Sequence, residues 1–303
     1  MTVSPKISVC VCTYRRPEGL CDTLRSLTEL AWDVPAFEII VVDNDAEGSG
    51  ERCLEAYRDR RISLSYLVEP KKNIARARNR AVAEARAELI ALIDDDETAD
   101  PNWLAELYRV MRDNDADAVF GPVLHRFVDP PPRWLLDLKF FDYPVTCTGS
   151  EVPQHLLRSG NVLFRKDRFQ GLTHGFDEDL GLSGGEDTDL FCRMRQAGAR
   201  LISAQDAVVY ESVPMARMQI RWLVRRQYRT GIGKMLASRR ERELPWRRLV
   251  YFSTASVRVC VRLTTSAIWL PFSRGRSAKN FLKAVHSLGV CAGFFGVRYY
   301  EYK

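Results

Sequence analysis

The feature that most constrains this chain is Leu89-Ile90-Ala91-Leu92-Ile93 running straight into Asp94-Asp95-Asp96-Glu97. Five consecutive apolar residues have the length of a strand buried on both faces, as in the middle of a parallel sheet. The acids then leave the carboxyl end of that strand, the edge at which open α/β sheets bind ligands. Adjacent carboxylates repel one another, and in a dry site some take up protons unless a cation lies among them. Oxygen donors of this kind suit Mg²⁺ or Mn²⁺, held by one or two carboxylates together with substrate phosphates. The plainer reading is a solvated acidic loop that caps the helix starting near Pro101.

The segments on either side repeat the alternation of strand and helix. Lys6 to Thr13 reads as a first strand, ending in the polar turn Thr13-Tyr14-Arg15-Arg16-Pro17. A helix follows from Pro17 to about Leu30, with Leu20, Leu24 and Leu27 on one face. Phe37–Asp43 is a second strand that also ends in an acid, then Asn44-Asp45 and a Gly48-Ser49-Gly50 turn. A helix to about Arg58, a short strand Ile62–Val68 and an Ala- and Arg-rich helix over Asn73–Val82 lead to the central strand. A helix to about Asn114 and a strand Asp117–Leu124 complete the unit. This pattern predicts a doubly wound, mostly parallel α/β sheet with helices on both faces. No GxGxxG follows the first strand and no Walker A sequence occurs, which argues against dinucleotide and P-loop sites.

Regular patterning fades from Gly121 to about Gly160, a length typical of lids and binding segments. Gly160–Arg165 reads as a strand. A second acidic group follows in Gly184-Gly185-Glu186-Asp187-Thr188-Asp189, where a helix begins and runs to Ala197 with Gly198 as its cap. Acids at a helix start complement its dipole, which is sufficient for Asp189. The two glycines ahead of Glu186 and Asp187 bring backbone close to something more. Leu201–Tyr210 reads as a last strand.

Charge divides the chain. Net charge is +6, yet residues 215–276 hold 15 Lys or Arg against two Glu, leaving the remainder at about −7. Such asymmetry points to a polyanion or an anionic membrane surface. Met218–Met235 interleaves Trp222, Leu223, Tyr228 and Ile232 with arginines. Val250–Phe272 carries Arg258 and Arg262, and Ala284–Val297 is short, so neither offers a convincing transmembrane span. Helices lying in the membrane interface fit better, the alternative being a helical subdomain packed on the sheet with a solvated basic face. Met1–Lys6 runs directly into the first strand, with no signal peptide. Eight cysteines without CxxC spacing predict reduced thiols in a cytosolic compartment, with Cys10 and Cys12 on one strand face.

Taken in order, Thr13-Tyr14-Arg15, Val41-Val42-Asp43-Asn44, Asn73 with Ala77-Arg78-Asn79, Asp94-Asp95-Asp96 and Glu186-Asp187 resemble glycosyltransferase family 2, whose fold is GT-A. The resemblance covers about residues 5–212. The Gly-Gly-Glu-Asp-Thr-Asp-Leu version, with Ser159-Gly160-Asn161 before it, is most similar to the branch that builds bacterial exopolysaccharides of succinoglycan type. It implies an inverting transfer of a sugar, often glucose from UDP-glucose, to a lipid-linked oligosaccharide at the inner membrane face. By position it implies that Thr13 and Tyr14 line the nucleobase pocket, with Arg15 and Asn73 also on the donor side. Asp43 would accept a hydrogen bond from uracil, and Arg78 would reach the nucleotide. Asp94 would contact ribose or support the metal, and Asp96 would bind Mn²⁺ or Mg²⁺. Asp187 would be the general base, with Glu186 beside it. Asp95 has no clear duty in the family, although it is counted with the donor site. Gln219-Ile220-Arg221-Trp222 is one residue short of the QxxRW found in membrane-embedded relatives.

The implied organisation is a catalytic domain over 1–212, with a nucleotide-sugar half (1–124) and an acceptor half (125–212). A basic, membrane-interfacial helical region (213–303) follows. The acceptor would be a glycan, free or linked to a polyprenyl diphosphate, and no nucleic-acid partner is expected. Two other readings compete. A nucleotidyltransferase would need a glycine-rich basic loop after the first strand, where this chain has Thr13-Tyr14-Arg15-Arg16-Pro17. A non-catalytic binder using the arginine-rich tail would leave both acid groups unexplained. Of four scattered histidines, His174, just before Asp177, is the best outside candidate for the site. Trp103 and Trp134 are possible sugar platforms, though core positions suit them better.

Overall fold

A computed structural model describes residues 4–31, 34–57, 62–142, 144, 146–240 and 245–299, with backbone alone for 237–240 and 245. The leading apolar runs become strands whose alternate side chains enter opposite layers. β1 (Ile7–Thr13), β2 (Phe37–Asp43), β3 (Ser63–Val68) and β4 (Leu89–Asp94) are parallel neighbours in the order β3-β2-β1-β4. Ile7, Val9 and Val11 point into one layer, covered by Leu20, Leu24 and Leu27 of α1 (Pro17–Thr28). Cys10 and Cys12 point into the other, covered by Ala77, Ala81 and Val82 of α2 (Ile74–Glu84). Thr13 pairs with Asp43, and Cys12 with Asp94, so the polar strand ends share one sheet edge.

The chain continues through β5 (Glu97–Ala99), α3 (Trp103–Asp113), β6 (Ala118–Phe120), β7 (Val123–Phe127) and α4 (Arg133–Leu138). Then come β8 (Asn161–Arg165), α5 (Lys166–Gln170), α6 (Glu186–Gln196), β9 (Leu201–Ser203) and β10 (Val209–Val213). The main sheet runs β3-β2-β1-β4-β8-β6-β9, and β8 is antiparallel to both neighbours. This mixed order is the predicted mostly parallel sheet with one strand reversed. The reversal starts β8 at the acidic edge, where Asn161 pairs with Ile93. A side chain on Gly160 would place its Cβ 2.5 Å from Glu97 Oε1, so glycine lets the strand begin against the acids.

Two predicted strands are each broken in two. Asp117–Leu124 divides at Gly121-Pro122, and Leu201–Tyr210 divides between β9 and β10. β7 and β10 leave the main sheet to form a small sheet, β5-β10-β7. The fully buried Asn161 side chain holds this divergence. It donates to Pro122 O (2.9 Å) and Ala207 O (2.7 Å) and accepts from Trp103 Nε1 (2.8 Å). Trp103 is therefore a core residue and offers no face to a sugar.

Glu51–Tyr57 forms a 3-10 turn where a helix was predicted; the predicted end at Arg58 lies outside the described residues. Cys21 of α1 and Cys53 of this turn are joined by a disulfide, which corrects the reading of all eight thiols as reduced. Periodicity carries no information on a pairing 32 residues apart. Cys10 and Cys12 are buried, and burial pushes the Cys12 thiol up to about 12.

After a 3-10 turn (Met215–Met218), α7 (Ile220–Arg240), α8 (Pro245–Trp269) and α9 (Arg274–Phe294) close the chain. α9 packs on α7, α8 and α4. Gly231 and Gly289 let α7 and α9 touch backbone to backbone: a Cβ at either would meet a carbonyl at 2.1 Å. Leu282 of α9 joins Leu135, Leu138, Val213, Met218 and Leu223 in one apolar cluster, so the basic helices share a core with the preceding region. Among the described residues, no helix is long and apolar enough to cross a membrane.

Candidate active site

The two acidic groups found in the sequence meet at one arginine. Arg78, buried on α2, donates from one terminal nitrogen to Asp94 (3.1 Å) and from the other to Glu186 Oε1. Burial alone would lower its pKa, but Asp94, Glu186 and Asp187 together hold it above the ordinary value. α2 also holds the loop that delivers Glu186. Asn73 caps the helix through Arg76 N (3.1 Å) and donates to Glu178 O (2.8 Å), while Asn79 bonds both backbone groups of Phe176 (2.8 Å each). Gly181 packs so closely on Asn73 that a Cβ would lie 1.8 Å from its Oδ1. Asn73 is thus a corner joining α2 to the loop that leads into α6.

The aspartate triplet fans out in three directions. Asp94 faces Arg78; withdrawal from solvent, with Asp96 and Asp187 nearby, raises its pKa although two-fifths of its side chain stays open. Asp95 turns inward to accept from the Thr13 hydroxyl (2.8 Å) and Arg16 (3.1 Å), and burial pushes it up to about 6. Asp96 accepts from Arg16 (3.1 Å) and from Arg217 (2.7 Å) in the 3-10 turn after β10.

Glu97 is a further member, drawn from the opening stretch but given no role by the sequence. It is buried, accepts from Asp94 N (3.0 Å), and lies opposite Glu211 across the β5–β10 pairing. Burial first, then Asp94, drives its pKa well above the ordinary value. Glu211 goes the other way: against burial, His125 (3.1 Å) and Arg217 hold it down to about 2. The two facing carboxyls are thus pushed in opposite directions, which lessens like-charge repulsion between them.

The second acidic group sits at the start of α6, entered through Gly184 and Gly185 at φ of +84° and +97°. Glu186 is buried, and its Oε2 has no hydrogen-bond partner among the described residues. Burial and then Asp187 raise it to about 7, opposed by Arg78. Asp187 is partly open. Its Oδ1 accepts from Thr188 N (2.7 Å), and its Oδ2 makes no hydrogen bond among the described residues.

The structure redirects other expectations. Asp43 has no exposed surface and accepts from Asp45 N (2.9 Å), Gly50 N (2.7 Å) and Tyr66 OH (2.8 Å). It clamps the loop after β2 and offers no open path to a base. Arg15 turns away to Asp45 (3.2 Å) through a left-handed backbone, φ +53°, and the neighbouring Arg16 reaches the acids instead. Tyr14 is partly exposed with Lys72 Nζ 4.4 Å from its ring centre. Arg16, Glu97, His125, Glu211 and Arg217 escaped the sequence reading. Only Arg16 and Glu97 had a local signal, each adjoining a motif already marked. His174 gathers with Asp177 and Asp189 in the one trio of metal-type donors among the described residues. Asp189 is already paired to Arg193 at 2.8 Å.

The profile described as Glycosyl transferase family 2 matches residues 8–174, more than half of the chain. The chain is 35% identical to the succinoglycan biosynthesis protein ExoM of Rhizobium meliloti (strain 1021), over 97% of this chain and 94% of that protein. It is 27% identical to a glucosyl-dolichyl phosphate glucuronosyltransferase of Haloferax volcanii, over 76% of each. In fold it is similar to the mannosyltransferase PcManGT from Pyrobaculum calidifontis, solved with GDP-Man and Mn²⁺ (TM-score 0.60, 18% identity, 95% of this chain and 88% of that one). It is likewise similar to S. aureus TarS with UDP-GlcNAc (TM-score 0.56, 15% identity, 94% and 92%).

Proposed function

The chain belongs to glycosyl transferase family 2, and from that premise we propose that it moves a hexose from a UDP-sugar to a hydroxyl of a lipid-linked glycan in exopolysaccharide assembly. UDP-glucose is the first donor to test. The observation that carries the reading is the Arg78 bridge between Asp94 and Glu186. It puts one carboxylate group on each side of a single buried guanidinium. Sugar transfer needs this division, because the departing diphosphate and the attacking hydroxyl lie on opposite faces of the anomeric carbon.

On the donor side, Thr13, Tyr14 and the loop clamped by Asp43 frame the nucleobase pocket. Asn73 and Arg78 set its relation to the acids, Arg15 steadies the loop through Asp45, and Asp95 fixes the end of β1 through Thr13. The residues present fit a divalent ion. Asp94 and Asp96 supply hard oxygen donors, Asp94 is open to solvent, and the charge of Asp96 is balanced here by Arg16 and Arg217. Mn²⁺ or Mg²⁺ held by these two aspartates would neutralise the diphosphate as it departs. On the acceptor side, Asp187 takes the proton of the attacking hydroxyl through Oδ2, and Glu186, tied to Arg78, keeps the start of α6 in place. Attack from the face opposite the diphosphate inverts the anomeric carbon.

We assign residues 1–212 to catalysis, with donor and acceptor halves meeting near residue 124, and 213–303 to a basic helical region. The charge of that region supports association with the anionic cytoplasmic face of the membrane, where a lipid-linked acceptor would be presented. The test is calorimetric binding of UDP, with and without Mn²⁺, to wild type and Asp96→Ala. Binding that needs both the metal and Asp96 is expected. Binding indifferent to both removes the metal from the reading, and no binding at all removes UDP.

A further inference from the structure

Residues 245–300 carry nine Lys or Arg and no Asp or Glu, so α8 and α9 form a cationic pair with no internal neutralisation. Trp246, Val250, Val257, Val261 and Ile268 are exposed along α8. Their spacings of four and seven residues set them in one stripe of the helix. On the flank of that stripe α8 presents Tyr251, Thr254 and Arg258. These meet Lys234 of α7 and His286 and Ser287 of α9 around a shallow cleft with Met235, Ala255 and Val290 beneath it. Lys234 and Arg258 form no ion pair among the described residues. The His286 imidazole lies 3.3 Å from the Thr230 hydroxyl; burial, then Lys234, with Arg258 adding to them and the Gln227 backbone opposing, holds its pKa below the ordinary value. Three basic groups thus converge with no acid among the described residues of the lining, beside the Thr254 and Ser287 hydroxyls, which donate to Val250 O and Lys283 O.

We propose that this cleft binds the phosphate or diphosphate group of an anionic lipid, with the α8 stripe resting among the hydrocarbon chains. Paired cations that meet no acid are the recognition chemistry of a phosphate. A free phosphate would leave the apolar stripe unused, whereas a lipid uses both the cleft and the stripe beside it. A second copy of the chain on the same stripe would bring two acid-free cationic surfaces together, which repel. The inference rests on the surface association proposed above and turns it into a site. It does not depend on the donor or on the transfer chemistry.

The test uses the whole protein and co-sedimentation with vesicles of phosphatidylcholine, with or without phosphatidic acid. Wild type is expected to sediment only with the acidic vesicles. Lys234→Gln with Arg258→Gln should bind them roughly thirtyfold more weakly, at two basic contacts of about 1 kcal/mol each. Arg274→Gln with Lys279→Gln, which removes the same charge elsewhere on the helix pair, should bind better than the cleft variant. Circular dichroism checks that all three are folded. In parallel, the titration midpoint of the His286 imidazole is followed by NMR with inorganic pyrophosphate, and a rise in wild type but not in the cleft variant supports phosphate recognition. Vesicle binding lost in the cleft variant, with no response to pyrophosphate, supports the site with the lipid as the required source. A pyrophosphate response without vesicle binding overturns the lipid assignment. Equal weakening in the two double variants overturns the cleft while leaving charge-driven association standing. No vesicle binding by wild type, with no response to pyrophosphate, overturns both.

Discussion

Arg78 stands between two groups of acids, and its charge shapes how each behaves. Glu186 shows this best, because burial and Asp187 raise it to about 7 even with Arg78 against it. In an unfolded chain a glutamate titrates near about 4.3. Between those values the native state holds the extra proton, so its contribution to stability is full at low pH and is lost as pH rises through about 7. Glu186→Gln carries no such proton. Its melting temperature relative to wild type should therefore climb between about pH 5 and about pH 8, at roughly 2–4 °C per kcal/mol. A difference constant with pH would mean that Glu186 is ionised throughout. Asp187→Asn is expected to reduce transfer by roughly 10²–10⁴-fold while UDP affinity stays within about twofold. Retained turnover would free Asp187 from the base role. At this scale the acids were legible because carboxylates side by side demand an explanation. Their cationic partners were not: Arg15 and Arg16 are indistinguishable in the sequence, and only the left-handed turn at Arg15 decides which one reaches Asp95 and Asp96. Arg217 lies 121 residues from Asp96, beyond any local pattern.

Among the elements, β1, β2 and β4 could be read from their unbroken apolar runs, and α1, α2 and α6 from their starts. The direction of β8 could not, because alternation of side chains is the same whichever way a strand runs. Nor could the divergence of β7 and β10 from the main sheet, since it depends on one buried amide rather than on a run of residues. Asn161→Ala would strand two carbonyls and the Trp103 indole N–H in a dry core. It should destabilise the protein by about 3 kcal/mol or more in urea unfolding. A loss within about 0.5 kcal/mol, the level of a surface change, would show that the two sheets are held apart by other means. α2 is the element that makes the site one site. Gly181→Ala should disturb its corner by driving a methyl into Asn73. Reduced UDP-sugar turnover with little change in UDP affinity is the outcome to look for, and unchanged turnover would show that the corner can yield.

For the molecule as a whole, charge changes character near residue 213. Packing of the basic helices on the preceding region was open in the sequence, but their shared core with α4 was not legible, because contacts so distant in the chain leave no periodic trace. Ending the chain before Arg274 should therefore do more than remove charge. Loss of Leu282 uncovers Leu135, Leu138 and Leu223, and a lower melting temperature with binding of an apolar dye is expected. Melting equal to wild type would mark α9 as an appendage. That packing also has a consequence in time. Synthesis proceeds at roughly 5–20 residues per second, and N-terminal parts begin to fold first. The sheet edge carrying Asp94 can form as soon as β8 has emerged. The turn that aims Arg217 at Asp96 belongs to an apolar cluster completed only by Leu282. During those seconds the nascent protein displays bare acids and an uncovered apolar face, so assembly of the site ends with the last helix rather than with the last of its own residues.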